Sequence, residues 1–144
     1  MLVWLSKNMN KRILLIDDDE TTTGLLGRLL NRYGFEVLAT NSGPEGIRLV
    51  REYDPGMVIL DLMMPEKAGW QVCKEIRLFS KVHILIFSAV SELNLVAKAL
   101  YAGANHFLSK PAPITVLVTY INETVNLTSG QMLTLPVPLP LQNS

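Results

Sequence analysis

The segment ILLIDDDET, residues 13–21, carries an apolar run directly into Asp17, Asp18, Asp19 and Glu20. Like charges this close repel, and each costs free energy to take out of water. Other apolar runs also end on a reactive group. MVILD delivers Asp61, HILIFS delivers Ser88 and HFLSK delivers Lys110. Three carboxylates brought together would leave at least one partly protonated unless a divalent cation neutralised them. Mg²⁺ suits such a set, being oxygen-loving and usually held by one or two carboxylates plus waters and phosphate oxygens. Asp61 is then the candidate nucleophile toward phosphorus, giving an aspartyl phosphate. Lys110 and the cation would neutralise the transferring charge, and Ser88 would donate a hydrogen bond to one of its oxygens. Taken singly, each residue has a plainer reading as a cap, a turn or a snorkelling lysine; together, at successive strand ends, they describe a phosphoryl site.

These residues need a frame. Short β-rich runs recur at RILLI, EVLAT, MVILDL, HILIF and HFLSK. Helical periods fall between and after them, at about 20–33, 44–52, 70–78, 93–102 and 114–127. Leu25, Leu26, Leu29 and Leu30 mark the first of these helices. Strand and helix alternating five times predict a parallel sheet covered on both faces. MVIL and ILIF are apolar at every position, as strands buried on both sides must be. In open parallel sheets functional groups gather beyond the C-terminal strand ends, which is where the reactive residues fall. Ser42 or Gly43 is placed to cap the second helix with Pro44 in its first turn. Gly34 and Gly103 stand where helices should stop. Gly24 and Gly27 sit inside the first helix, each at a cost of roughly 1 kcal/mol relative to Ala.

At 144 residues the chain is read as one domain. Thirteen Lys and Arg balance thirteen Asp and Glu, which argues against direct nucleic-acid binding. Cys73 is the single cysteine, so neither an intramolecular disulfide nor a cysteine-cluster metal site can form. The apolar patch in MLVWLSKN is too short for a signal peptide or membrane span, and Met9 is an equally good start. Cytoplasmic residence is the expectation. The organisation expected is an N-terminal extension at 1–10, a domain at 11–127 and a tail at 128–144. In that tail Pro136, Pro138 and Pro140 favour an extended or disordered chain. The sequons at Asn122 and Asn126 carry no weight without secretion.

The segments ILLIDDDE, MVILDLMMPEKAGW, ILIFSA and GANHFLSKP resemble those of response-regulator receiver domains of two-component systems, over about 11–126. The match at Asp61, Met64, Pro65 and Gly69 follows that family's spacing. The resemblance implies a doubly wound, flavodoxin-like α/β fold with strand order 2-1-3-4-5. It implies Mg²⁺ held by Asp17, Asp18, Asp61 and the backbone carbonyl of Met63, with Asp61 as phosphoacceptor and Lys110 as phosphate partner. It makes Ser88 the switch hydroxyl and Phe107 the switch aromatic, and it implies a cis Lys110–Pro111 bond. Asp19 falls outside the metal pair and is expected to be a solvated loop residue.

The implied protein is a stand-alone, chemotaxis-regulator-like receiver rather than a dedicated enzyme. Its phosphoryl group would come from a histidine kinase or phosphotransfer protein, and its signal would leave through an unidentified protein partner. The apolar face of the last helix is expected either to meet an apolar partner or a second copy, as a homodimer through the fourth and fifth helices, or to be packed by the proline-rich tail. Met63 and Val90 are apolar where some relatives orient water, so slow self-hydrolysis is expected. Two other readings compete. DDDET also resembles the haloacid-dehalogenase phosphatases, with Asp17 as nucleophile and Asp19 as acid/base, but no aspartate follows Asp61 to serve as their later metal ligands. The other is a receiver-like module that binds partners without being phosphorylated.

Overall fold

The computed structural model describes residues 10–90 and 92–128, the side chains of 126–128 excepted. The extension before Asn10, the alternative start at Met9, the Asn126 side chain and the proline-rich tail therefore lie outside the described residues.

Five strands, β1 (Arg12–Ile16), β2 (Glu36–Thr40), β3 (Met57–Leu60), β4 (His83–Ser88) and β5 (His106–Ser109), form one parallel sheet in the order β2-β1-β3-β4-β5. The helices are α1 (Glu20–Arg32), α2 (Gly43–Tyr53), α3 (Gly69–Arg77), α4 (Leu93–Tyr101) and α5 (Ile114–Thr128). This is the expected doubly wound, flavodoxin-like order. α5 runs one residue past the expected domain end at 127, because Thr128 is still helical.

Side chains alternate across each strand, so the all-apolar runs feed two cores. Leu14, Ile16, Val58, Leu60, Ile84 and Ile86 face α2, α3 and α4, where Val50, Val72, Cys73, Ile76 and Ala99 meet them. Ile13, Leu15, Met57, Ile59, Leu85 and Phe87 face α1 and α5, against Leu30, Leu117, Val118 and Ile121. A sheet buried on both sides has little freedom to slip, since a one-residue shift would exchange the two cores.

Helix ends follow local chemistry. Ser42 caps α2, its hydroxyl accepting from Glu45 N at 3.3 Å. Gly34 and Gly103 leave α1 and α4 with φ of 95° and 123°, a conformation costly to residues with a Cβ. α1 departs from expectation. Its buried positions are Thr23, Gly27 and Leu30, whereas Leu25 is 52% exposed. A Cβ on Gly27 would meet Val37 at an ordinary 3.7 Å, so this glycine is tolerated rather than required.

At the N-terminal end of the sheet, His83 Nε2 meets the Tyr120 hydroxyl at 2.5 Å, and Tyr120 stacks on His106. Burial, with the Arg77 and His106 charges, pushes the His83 imidazole below its ordinary 6.5. The fold thus favours neutral His83, a stabilisation complete above pH 6.5 and lost as pH falls through the lowered folded-state value. Thermal denaturation should show Tm falling between about pH 7 and pH 5, with that part of the slope absent in His83→Gln.

Candidate functional site

The strand ladder delivers Asp17, Asp61 and Lys110 one step past a paired position and Ser88 at one. Ile16 is in register with Leu60 and with Thr40, and Ser88 with Ser109. The next backbone amides continue the ladder: Asp17 N donates to Thr40 O at 3.2 Å, Asp61 N to Ile16 O at 2.9 Å and Lys110 N to Ser88 O at 3.0 Å. Asp17, Asp61 and Lys110 therefore leave the sheet at one level because the strands are parallel.

Asp17, Asp18 and Asp61 each offer a carboxylate oxygen, all within 4.8 Å of one another. Asp17 is 7% exposed, Asp18 exposed and Asp61 half-buried. Lys110 Nζ donates to Asp17 Oδ2 at 2.6 Å and lies over the Phe87 ring. Asp17 Oδ1 accepts from Asp19 N at 3.0 Å. Asp61 Oδ1 accepts from Leu62 N at 2.9 Å. Burial lifts the Asp61 carboxyl above its ordinary 3.8; a hydrogen bond from Ser88 opposes the rise and the Asp17 charge adds to it. Ser88 is fully buried, and its hydroxyl also accepts from Val90 N at 3.2 Å. Oxygen donors from one buried, one intermediate and one exposed carboxylate, open to water on one side, suit a hard divalent cation.

The expected residues therefore converge, with refinements. Lys110 is paired to Asp17, not to Asp61. Asp19 is exposed in the loop before α1, as expected, and also caps that helix, accepting from Thr21 N at 3.1 Å and the Thr22 hydroxyl at 2.7 Å. The Thr22 bond holds its carboxyl below the usual range. Phe107 is half-buried against the α2–α4 core, in register with Ile86. Met63 lies in the loop after Asp61 with its side chain 55% exposed. The Lys110–Pro111 bond is cis.

One supporting residue, Asn41, escaped sequence reasoning, and the packing role of another, Gly69, was not read from its place in the motif. Asn41 Nδ2 donates to Asp17 O at 2.7 Å and to the Thr23 hydroxyl at 3.2 Å, tying the β1 end to the β2 end. Gly69 is required by space, because a Cβ there would stand 2.7 Å from Asp61 O and 2.8 Å from Leu62 Cα. Its match to the spacing Asp61–Met64–Pro65–Gly69 was the available signal; nothing in the sequence marked Asn41.

The fold and site together define a doubly wound parallel domain with an acidic pocket at its strand ends. A family model described as "Response regulator receiver domain" matches residues 13–122. Chemotaxis protein CheY of Bacillus subtilis is 32% identical over 82% of this chain and 100% of its own length. The cell cycle transcriptional regulator CtrA of Caulobacter vibrioides is 32% identical over 83% of this chain but 52% of itself. The chain thus spans about half the length of several curated relatives it matches. A receiver domain protein from Clostridium thermocellum superposes with a TM-score of 0.76 at 31% identity, covering 84% of this chain and 98% of that one. A CheY-like receiver from Methanospirillum hungatei reaches 0.78 at 22% identity, over 83% and 96%, a likeness of fold alone. The chain belongs to the response-regulator receiver family. The haloacid-dehalogenase reading gives way to that membership, and the Asp19 carboxylate it needed as acid/base is engaged in capping α1.

Because Asp61 is ionised at neutral pH against burial and the Asp17 charge, Asp61→Asn should stabilise the protein without divalent cation. The penalty is absent below the ordinary 3.8 and grows as pH rises through the raised folded-state value. Tm at pH 7 should rise in the variant by on the order of a few degrees, and the advantage should vanish near pH 4. An unchanged or lower Tm at pH 7 would contradict this electrostatic account.

Proposed function

We propose that the chain is a phosphorylation-controlled binding switch. Asp61 would take a phosphoryl group from a histidine kinase or phosphotransfer protein, and the signal would leave by altered affinity for a protein partner. The convergence of Asp17, Asp18 and Asp61 beside Lys110 and Ser88 is the observation that carries this reading.

In the transfer, an Asp61 carboxylate oxygen attacks phosphorus while the bond from phosphorus to the donor imidazole nitrogen breaks, leaving a neutral imidazole once protonated. Asp17, Asp18, Asp61 and the Met63 carbonyl would hold Mg²⁺, which when bound supplies positive charge to the transferring oxygens and relieves carboxylate repulsion. Lys110, already charge-paired beside the site, offers its ammonium to a phosphoryl oxygen. The Ser88 hydroxyl, next to Asp61, donates to another. Drawing Ser88 toward the phosphoryl group would open space on its face of the sheet, into which Phe107 turns, and the α4–β5–α5 surface would be remodelled. The partner then selects one of two states.

Cytoplasmic residence belongs to this reading; among the described residues no helix is long and apolar enough to cross a membrane. So does pairing with a second copy through α4 and α5, supported by exposed Leu93, Leu100, Tyr101 and Val116. The protein would be a phosphoryl acceptor rather than a dedicated enzyme.

Acetyl phosphate with Mg²⁺ should add about 80 Da, one phosphoryl group, to wild type and nothing to Asp61→Asn, read by intact mass. An adduct surviving in the variant would move the nucleophile, and none in wild type would favour a silent binding module. Met63 and Val90 offer no polar group to orient an attacking water, so the adduct should decay over minutes or longer. A half-life of seconds would remove that explanation.

A further inference from the structure

Asp18 is the least restrained member of the acidic pocket. It sits exposed at the bend between β1 and α1, and no hydrogen bond or ion pair from the described residues holds its carboxylate. Asp17, by contrast, is tied at both oxygens, Oδ1 by the Asp19 amide and Oδ2 by Lys110. The backbone of the bend must therefore keep Asp18 within 4.8 Å of the other two carboxylates, against their repulsion.

One side-chain amide spans that bend. The sheet ladder ends where Asp17 N donates to Thr40 O; the Asp17 carbonyl is met instead by Asn41, just after β2, whose Nδ2 donates to it at 2.7 Å. The same Nδ2 donates at 3.2 Å to the hydroxyl of Thr23, near the start of α1 and 8% exposed. Thr23 spends its own hydroxyl proton on Glu20 O at 3.1 Å, which leaves its oxygen to accept. Both hydrogens of the amide are used, one on each side of Asp18. A planar NH₂ carries two donors, whereas Ser or Thr carries one and Asp none when ionised.

We propose that Asn41 is a positioning residue for the cation, its amide clamping the β1–α1 bend so that the Asp18 carboxylate stands beside those of Asp17 and Asp61. The inference rests on the reading of this pocket as a Mg²⁺ site. Without the amide, repulsion swings Asp18 toward water, and a cation must first reassemble the bend. Its apparent affinity then falls with the fraction of molecules already in the binding geometry. Outer groups that orient a metal's ligands typically contribute about ten- to a hundredfold in affinity.

The test is a Mg²⁺ titration of the full chain, followed by backbone amide NMR shifts at 17–20 and 61–63. Asn41→Ala should raise the Mg²⁺ dissociation constant about tenfold. Thr23→Val removes one of the two acceptors and should raise it less, while Thr23→Ser keeps the wild-type value. Ile121→Ala is a core loss on α5, beyond the apolar groove of about 290 Å³ between α1 and α5. It lowers stability without touching the bend and should leave the dissociation constant unchanged. Wild-type affinity in Asn41→Ala, or an equal loss in Ile121→Ala, would overturn the proposal.

A second readout needs no cation. The Asp19 amide is bonded to Asp17 Oδ1, and in Asn41→Ala its hydrogen exchange should quicken about tenfold beyond any change at Ile59 in β3. If wild type itself fails to bind Mg²⁺, the reading of the pocket fails and this exchange alone decides the clamp. Equal changes at the two amides would overturn it.

Discussion

One unfavourable proximity governs the C-terminal edge of this sheet: Asp17, Asp18 and Asp61 are held within 4.8 Å of one another. Carboxylates do not gather unaided. They are held because β1 and β3 are neighbouring parallel strands whose last paired residues, Ile16 and Leu60, stand side by side, so whatever follows each strand emerges beside the other. The backbone bond from Asp61 to Ile16 fixes one, and Asn41 braces the loop that carries the other. The cost is met by burial on both faces of the sheet, where strand residues such as Leu14, Ile16, Leu60 and Ile86 are entirely removed from water.

Lys110 answers part of that repulsion, but only part. Its ammonium sits 2.6 Å from Asp17 and leaves Asp61 facing a raised proton affinity. One cation among three carboxylates still leaves net negative charge. The site therefore has a standing affinity for further positive charge, and the half-buried Asp61 keeps one oxygen outside the backbone bond from Leu62. Both properties bear on the phosphoacceptor role proposed for Asp61.

Fold and site were legible in the sequence to different depths. Parallel strands buried on both faces need no alternation, and MVIL and HILIF announce themselves by lacking it. Strand ends are where apolar runs stop, so Asp61, Ser88 and Lys110 could be read directly. Partner choice could not. Asp17 and Asp61 are the same residue type at equivalent strand ends, and only the structure shows the lysine joined to Asp17. Asp19 illustrates the same limit: capping and idle exposure look alike until the Thr21 amide is seen to point at the carboxylate. Leu25 fits the helical period of α1 yet is exposed, whereas Thr23 and Gly27, which are buried, leave no mark in that period. Small residues let a helix lie close to a sheet and leave no hydrophobic mark in the sequence.

Lys110 also links two regions that otherwise look separate. The same side chain neutralises Asp17, covers Phe87 and borders the α1–α5 groove. Thr22, which donates to the Asp19 cap, lines that groove as well. Anything that draws the Lys110 ammonium away from Asp17 must move a wall of the groove. Conversely, an apolar segment packed against the lysine stem restrains where its head can go. Thermodynamic linkage makes such an effect reciprocal: if positive charge arriving at the carboxylates weakens what the groove holds, then what the groove holds weakens the arrival of positive charge by the same factor. Whatever occupies the groove would thus bear on an acidic site it never touches, through the position of one lysine.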